Sequence, residues 1–216
     1  MIPTCEEREK ILKGFSDHRL PYYAFVFHQF WTGCRPSEAC ALRRRDVDLS
    51  YGWERIEKSR VAGDEGGTKT GPSNRQIRLH ENLVDVLKGH VRFMLDPDAY
   101  LFTTPDGTPI DESNFYKREW LPMLRKLQIR PRPFYNTRHS YASFMLSIGT
   151  KMNFISAQTG DREETLKKHY AKYLLRESIR NGNGSKTRSG KVQKVKNPLK
   201  TVKNRNPARS ELNPQK

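Results

Sequence analysis

Four short stretches carry residues able to do chemistry on a phosphodiester. "TGCRPSEACAL" places Arg35 just after a helix break, with Glu38 three residues on. "GTKT" sets Lys69 in a glycine-rich connection that runs into "NRQIRL". "PFYNTRHSYAS" has Arg138 opening a helical run, and "TLKKHYAKYLL" carries Tyr170 and Tyr173 three positions apart. A phosphodiester bears a full negative charge, and displacement at phosphorus adds charge to its equatorial oxygens. Guanidiniums are permanently charged, bidentate donors that meet this demand, which makes Arg35 and Arg138 the candidates for a clamp. Losing one transition-state donor of this kind typically costs about 10²–10³ in rate. The bland reading of either arginine is a structural or surface ion pair. Tyrosines three apart usually share one helix face and pack into a core, and a lysine in a glycine-rich loop is ordinarily just solvated.

Composition narrows the partner. The 216-residue chain has a net charge of +16, which implies a polyanion, either nucleic acid or an anionic membrane surface. The longest apolar run, "YYAFVFHQFW", is interrupted by His28 and Gln29 and is too short to span a bilayer. No basic amphipathic helix offers an exposed apolar face to a membrane surface, so DNA is the favoured partner. Residues 1–20 are charged and show no secretory signal. Cys5, Cys34 and Cys40 have neither zinc-site spacing nor the even count of a disulfide framework, which points to a reducing, intracellular compartment. The sequence also lacks a phosphate-binding glycine loop and clustered metal ligands, so no cofactor is expected.

The elements that must position these residues are mostly helical. Helices are expected over 5–15, over 20–32 with a stop at Gly33, and from Pro36 through "RPSEACALRRRDVDL". Strands are expected over 53–61 and 75–80, joined by the glycine-rich "AGDEGGTKTGPSN". Further helices are expected over 81–95, 112–128, 138–148, 151–159 and 162–176, with a turn at "TTPDGTPI". The fold class is α+β, mainly α, with a small antiparallel sheet. From Arg180 onward there are eleven Lys or Arg against the single acid Glu211, so that segment contributes +10 and leaves +6 on residues 1–179. Residues 180–216 are therefore read as a disordered basic tail suited to non-specific phosphate contact.

The four stretches, in this order, resemble the catalytic domain of the tyrosine recombinases, the phage-type integrases. The resemblance covers roughly residues 1–178. Its strongest parts are "TGCRPSE" and the block in which Arg138 lies 23 residues before Asp161, which lies nine before Tyr170. It implies that Arg35 and Arg138 clamp the scissile phosphate of double-stranded DNA and that Tyr170 is the nucleophile, forming a 3′-phosphotyrosyl intermediate. It makes Lys69 the general acid for the leaving 5′ oxygen, with Lys58 as a rival, and Glu38 a buttress for the arginines. Arg43, Arg75, Lys167 and Lys168 are candidate DNA contacts. An ordinary phenol is only about 1 in 1,000 ionised at pH 7, so a proton acceptor is needed, and Tyr135, Lys69 and water are the choices.

Two positions depart from the family pattern. Tyr135 stands where the family usually has histidine, three residues before the second arginine. Asp161 stands where it usually has histidine or tryptophan. Asp161 with Glu164 has the spacing of a capping box for the helix bearing Tyr170, and the cap is the favoured reading. His139 is read as a packing residue. The resemblance further implies a homo-oligomer, typically a tetramer on DNA, in a prokaryotic or phage-encoded, cytoplasmic, nucleoid-associated protein. The usual N-terminal core-binding domain is not expected in this chain, which starts almost directly at the catalytic domain. A half-clamp should bind DNA weakly and with little sequence preference. The alternatives are a catalytically inactive DNA-binding remnant or regulator on the same fold, and a type IB topoisomerase-like nicking and closing enzyme.

Overall fold

A computed structural model describes residues 3–67, 74–168 and 170. Lys69, Tyr173 and the basic segment 180–216 lie outside the described residues. Helix α1 (Cys5–His18) starts from a capping box in which Thr4 and Glu7 satisfy each other's backbone N–H groups at 3.2 and 2.9 Å. Helix α2 (Leu20–Thr32) is buried from Tyr22 to Thr32 and forms the axis of the domain. Around Phe25 lie Phe102, Phe115 and Phe134, with ring centroids 5.1–5.4 Å away, and Trp120 packs on Phe134 at 4.9 Å. Offset and edge-on aromatic pairs of this sort add to the stabilisation from buried area.

Helix α2 ends at Gly33, whose φ of +64° suits a left-handed cap, and a Cβ there would collide with the Tyr141 ring. The expected long helix from Pro36 stops early. Helix α3 covers only Pro36–Ala41, because Asp46 captures the Arg43 N–H at 2.9 Å and Leu42 turns extended to accept the Leu101 N–H at 2.8 Å. The expected 53–61 strand divides in two. β1 (Val47–Asp48), β2 (Trp53–Ile56) and β5 (Arg75–Arg78) form one antiparallel sheet in the order β1-β2-β5, while β3 (Lys58–Val61) and β4 (Asp64–Gly67) make a separate hairpin. Glycine-rich connections support tight reversals, and here the reversal came earlier than the sequence pattern indicated.

Helix α4 (Glu81–His90) ends before the expected residue 95, where His90 Nε2 donates to the Leu101 carbonyl at 2.7 Å and ties the helix end to the returning chain. Residues 112–126 are helical as expected, but include a π-helical stretch, Tyr116–Trp120, between α5 (Glu112–Phe115) and α6 (Leu121–Lys126). Pro122 has no N–H to give the preceding turn, and a wider turn accommodates that loss. Helices α7 (Asn136–Ser147) and α8 (Met152–Thr159) and a last helical run, 163–168, complete the domain, and Tyr170 is helical too. A second, small core of Ala142, Leu146, Ile155, Leu166 and Tyr170 joins these three. No described helix is long and apolar enough to cross a membrane.

Candidate active site

The Gly33 cap and the Pro36 start of α3 leave Arg35 extended at the junction of two helices, with φ −69° and ψ 142°. One turn into α3, Glu38 reaches back and accepts from the Arg35 backbone N–H at 2.8 Å and from its guanidinium at 2.9 Å. The same carboxylate accepts a fork from Arg75, at 3.0 and 2.7 Å, and Arg75 Nε donates to the Gln158 carbonyl at 2.9 Å. Glu38 is only 1% exposed. Burial works against its charge, but the Arg75 hydrogen bonds, the Arg75 charge and the Arg35 contacts outweigh it, so the carboxyl is held below its usual range.

Arg138, in the first turn of α7, is fully buried. One guanidinium nitrogen donates to two carbonyls, Gly33 and Thr159, each at 2.7 Å, and the other is 2.5 Å from Asp161 Oδ1. That last contact is an ion pair out of line for a hydrogen bond. The same oxygen of Asp161 lies 3.5 Å from Arg35. The two candidate clamp arginines therefore converge on a single anionic oxygen. Asp161 does not cap the last helix: that run starts at residue 163, and Arg162 supplies the first carbonyl, to Leu166. The capping expectation is corrected here, because two guanidiniums hold a carboxylate more strongly than an N–H at a helix end does.

Tyr170 is buried, and its phenol hydrogen-bonds His139 Nδ1 at 2.8 Å. His139 packs as expected, its ring against those of Tyr135 and Tyr170, and makes this hydrogen bond in addition. Tyr135 lies partly exposed, its ring 5.9 Å from the Arg138 guanidinium and edge-on to the His139 ring at 5.3 Å. The signal that could have found His139 was its position four residues after Tyr135, which puts both on one face of α7.

The remaining expected residues divide. Lys167 and Lys168 are exposed, on the run leading to Tyr170. Arg43 instead binds Glu65 at 2.9 Å and the Asp98 carbonyl at 2.7 Å, with its guanidinium 4.4 Å from the Tyr100 ring centre, and Tyr100 also hydrogen-bonds Glu65. These contacts anchor the β3–β4 hairpin, which leads toward Lys69. Arg75, expected at the DNA, is buried against Glu38 and lies where Gly160 leaves room: with φ +74°, a Cβ there would come within 3.0 Å of its guanidinium. Lys58 approaches Glu65 at 3.8 Å.

Among the described residues one set could hold a metal ion: His28, Cys34 and Glu54, all buried, with ligand atoms within 4.8 Å of one another. Those atoms already engage each other. His28 Nε2 is 2.7 Å from Glu54, and Cys34 Sγ accepts from Gln29 at 3.3 Å. Burial opposes charge on His28, but the Glu54 carboxylate outweighs it and pushes the pKa up to about 10. An imidazolium–carboxylate pair thus pins α2 to β2 directly behind the Arg35 junction.

Comparison with known proteins bears on this arrangement. A model of the phage integrase family matches residues 4–174. The integrase of Staphylococcus phage L54a is 28% identical over 156 residues, covering 63% of this chain and 43% of that protein. Tyrosine recombinase XerA of Pyrococcus furiosus is 25% identical over 186 residues, covering 83% of this chain and 61% of the relative. The chain thus spans about half the length of these relatives. A solved structure of the Tn1549 transposon integrase in complex with circular intermediate DNA superposes with a TM-score of 0.71 at 18% identity, over 84% of this chain and 67% of that one. With a match across most of its length, this chain belongs to the phage integrase family.

Proposed function

We propose that residues 1–179 form the catalytic domain of a site-specific tyrosine recombinase that breaks and rejoins double-stranded DNA. The observation that carries this reading is the convergence of Arg35 and Arg138 on Asp161 Oδ1, at 3.5 and 2.5 Å. Two guanidiniums meeting at one carboxylate oxygen support a seat between them for a non-bridging phosphate oxygen. In cleavage the Tyr170 phenolic oxygen forms a bond to phosphorus and the bond from phosphorus to the 5′ oxygen breaks, leaving a 3′-phosphotyrosyl link. Lys69 gives the departing 5′ oxygen a proton. A 5′-hydroxyl from a partner strand then attacks the phosphotyrosine and restores the backbone. The covalent link conserves the bond energy, so the reaction needs no nucleotide cofactor. Glu38 and Arg75 position Arg35, Lys167 and Lys168 contact the DNA backbone, and residues 180–216 add non-specific phosphate contacts. The DNA complex of the Tn1549 integrase supports duplex DNA as partner, and assembly on it as a homo-oligomer follows the family pattern.

The test is a nicked duplex pool of random sequence, from which a cleaved strand cannot be rejoined. A covalent protein–DNA adduct that survives denaturation, is lost in Tyr170→Phe and is kept in Tyr173→Phe is the expected result. One observation favours a second reading, a DNA-binding protein without strand cleavage: a carboxylate occupies the anion seat between the clamp arginines. DNA retention with no adduct from any variant would select that reading.

A further inference from the structure

We infer that His139 is the base that takes the phenolic proton from Tyr170, supplying from one turn along α7 what the histidine position at Tyr135 lacks. This rests on the recombinase reading above. His139 Nδ1 is 2.8 Å from the Tyr170 oxygen, within the reach that direct proton transfer requires. Tyr135 and His139 present their rings to one another, at 5.3 Å and nearly perpendicular. Both therefore face the same side of α7, with Arg138 held beneath them by the Gly33 and Thr159 carbonyls. The rivals are weaker. Tyr170 is buried, so bulk water is poorly placed to accept its proton. Tyr135 is itself a phenol, whose hydroxyl oxygen is a far weaker base than an imidazole nitrogen.

The step balances with groups already named. With the ring as its Nε2–H tautomer, Nδ1 accepts the phenolic proton as the bond from the phenolic oxygen to phosphorus forms. The bond from phosphorus to the 5′ oxygen breaks, and that oxygen takes its proton from the Lys69 ammonium. In rejoining, the incoming 5′-hydroxyl returns a proton to Lys69, and His139 returns one to the departing phenolate. Arg35 and Arg138 keep their charge throughout and stabilise the phosphate oxygens.

The experiment uses the whole chain and the cleavage site mapped from the wild-type adduct, made both as ordinary DNA and with sulfur replacing the bridging 5′ oxygen. A thiolate leaves without needing a proton, so the sulfur DNA relieves loss of a proton donor but not loss of a base. His139→Gln should slow adduct formation by about 10²-fold or more on both DNAs. Lys69→Ala should be slow only on ordinary DNA, and added imidazole should speed His139→Ala. Circular dichroism and denaturant midpoints establish that each variant folds, and if the glutamine variant does not, the alanine variant with imidazole decides. A His139 variant as fast as wild type overturns the assignment. So does rescue of His139→Gln by sulfur, which would make it a donor, or a slow His139→Ala that imidazole leaves unchanged, which would make it only a positioning residue. Absence of adduct from the wild type overturns the recombinase reading and this assignment together, whereas the three outcomes before it overturn this assignment alone.

Discussion

Two carboxylates in this domain each sit between two arginines, and they are built differently. Glu38 uses both oxygens, takes three guanidinium hydrogen bonds and a backbone N–H within 2.7–3.0 Å, and is 1% exposed. Asp161 offers one oxygen to Arg35 and Arg138, and its side chain is 22% exposed. The first arrangement satisfies every donor aimed at it and shuts out solvent. The second leaves the Arg138 Nε without a hydrogen-bond partner among the described residues and stays open to exchange. The same kind of charge pairing is thus sealed from solvent on one side of Arg35 and left partly open to it on the other.

That contrast can be broken or sharpened by substitution. Glu38→Ala should have the largest effect, about 3–5 kcal/mol lost from stability, because it strands the buried Arg75 guanidinium; urea unfolding of the variant against wild type measures it. A loss near zero would mean the brace is dispensable. Next, Arg138→Lys should keep the fold but lower the rate of adduct formation by about 10²–10³, since the compact ammonium of lysine lacks the planar two-nitrogen fork with which Arg138 holds the carbonyls on one side and the anion on the other. A smaller gain is expected from Asp161→Asn. Removing the negative charge from the anion seat should raise both DNA affinity and adduct rate by about tenfold, roughly 1.4 kcal/mol, read by a binding titration and single-turnover cleavage. A slower Asp161→Asn would show that Asp161 is a second brace, and the two sites would then be alike.

pH separates the same regions. The Glu38 pKa is depressed below 4.5, so its contribution is present above that value and is lost as pH falls through the depressed one. His28 behaves oppositely. Its pKa is raised from 6.5 to about 10, so the stability it supplies is full below 6.5 and is lost as pH rises toward 10. The smallest effect should be on the alkaline side: between pH 7 and 8 the denaturant midpoint should fall by an amount worth at most about 1.4 kcal/mol, and His28→Gln should flatten that slope.

Much of this was legible in the sequence, and the misses share a cause. Arg35, Arg138 and Tyr170 stood out because each lies in a short block whose local pattern is informative. The break after Thr32 was readable from Gly33, since a left-handed cap favours glycine at that point. Asp161 was misread because its partner Arg35 lies 126 residues away, and its spacing to Glu164 offered a local explanation that tertiary charge overrode. Arg75 was assigned to DNA for the same reason: a surface-like basic strand gave no hint of a buried acid 37 residues earlier. His139 is read from sequence as a packing residue because the family pattern directs attention to position 135, and its hydrogen bond to Tyr170 is a tertiary contact between residues 31 apart. The early end of α3 depended on Asp46 and on pairing with residue 101, contacts that helix periodicity cannot register.

The C-terminal end of α8 has a mechanical consequence. Within four residues, the Gln158 carbonyl holds Arg75, the Thr159 carbonyl holds Arg138, Gly160 makes room for Arg75, and Asp161 holds Arg138 and Arg35. All three arginines are thereby keyed to one helix end. In hydrogen exchange the amides of this corner and of the Arg35 junction should open together as one cooperative unit. Phosphate binding would be felt there as slowed exchange across segments far apart in the chain, a collective tightening that no single contact would produce.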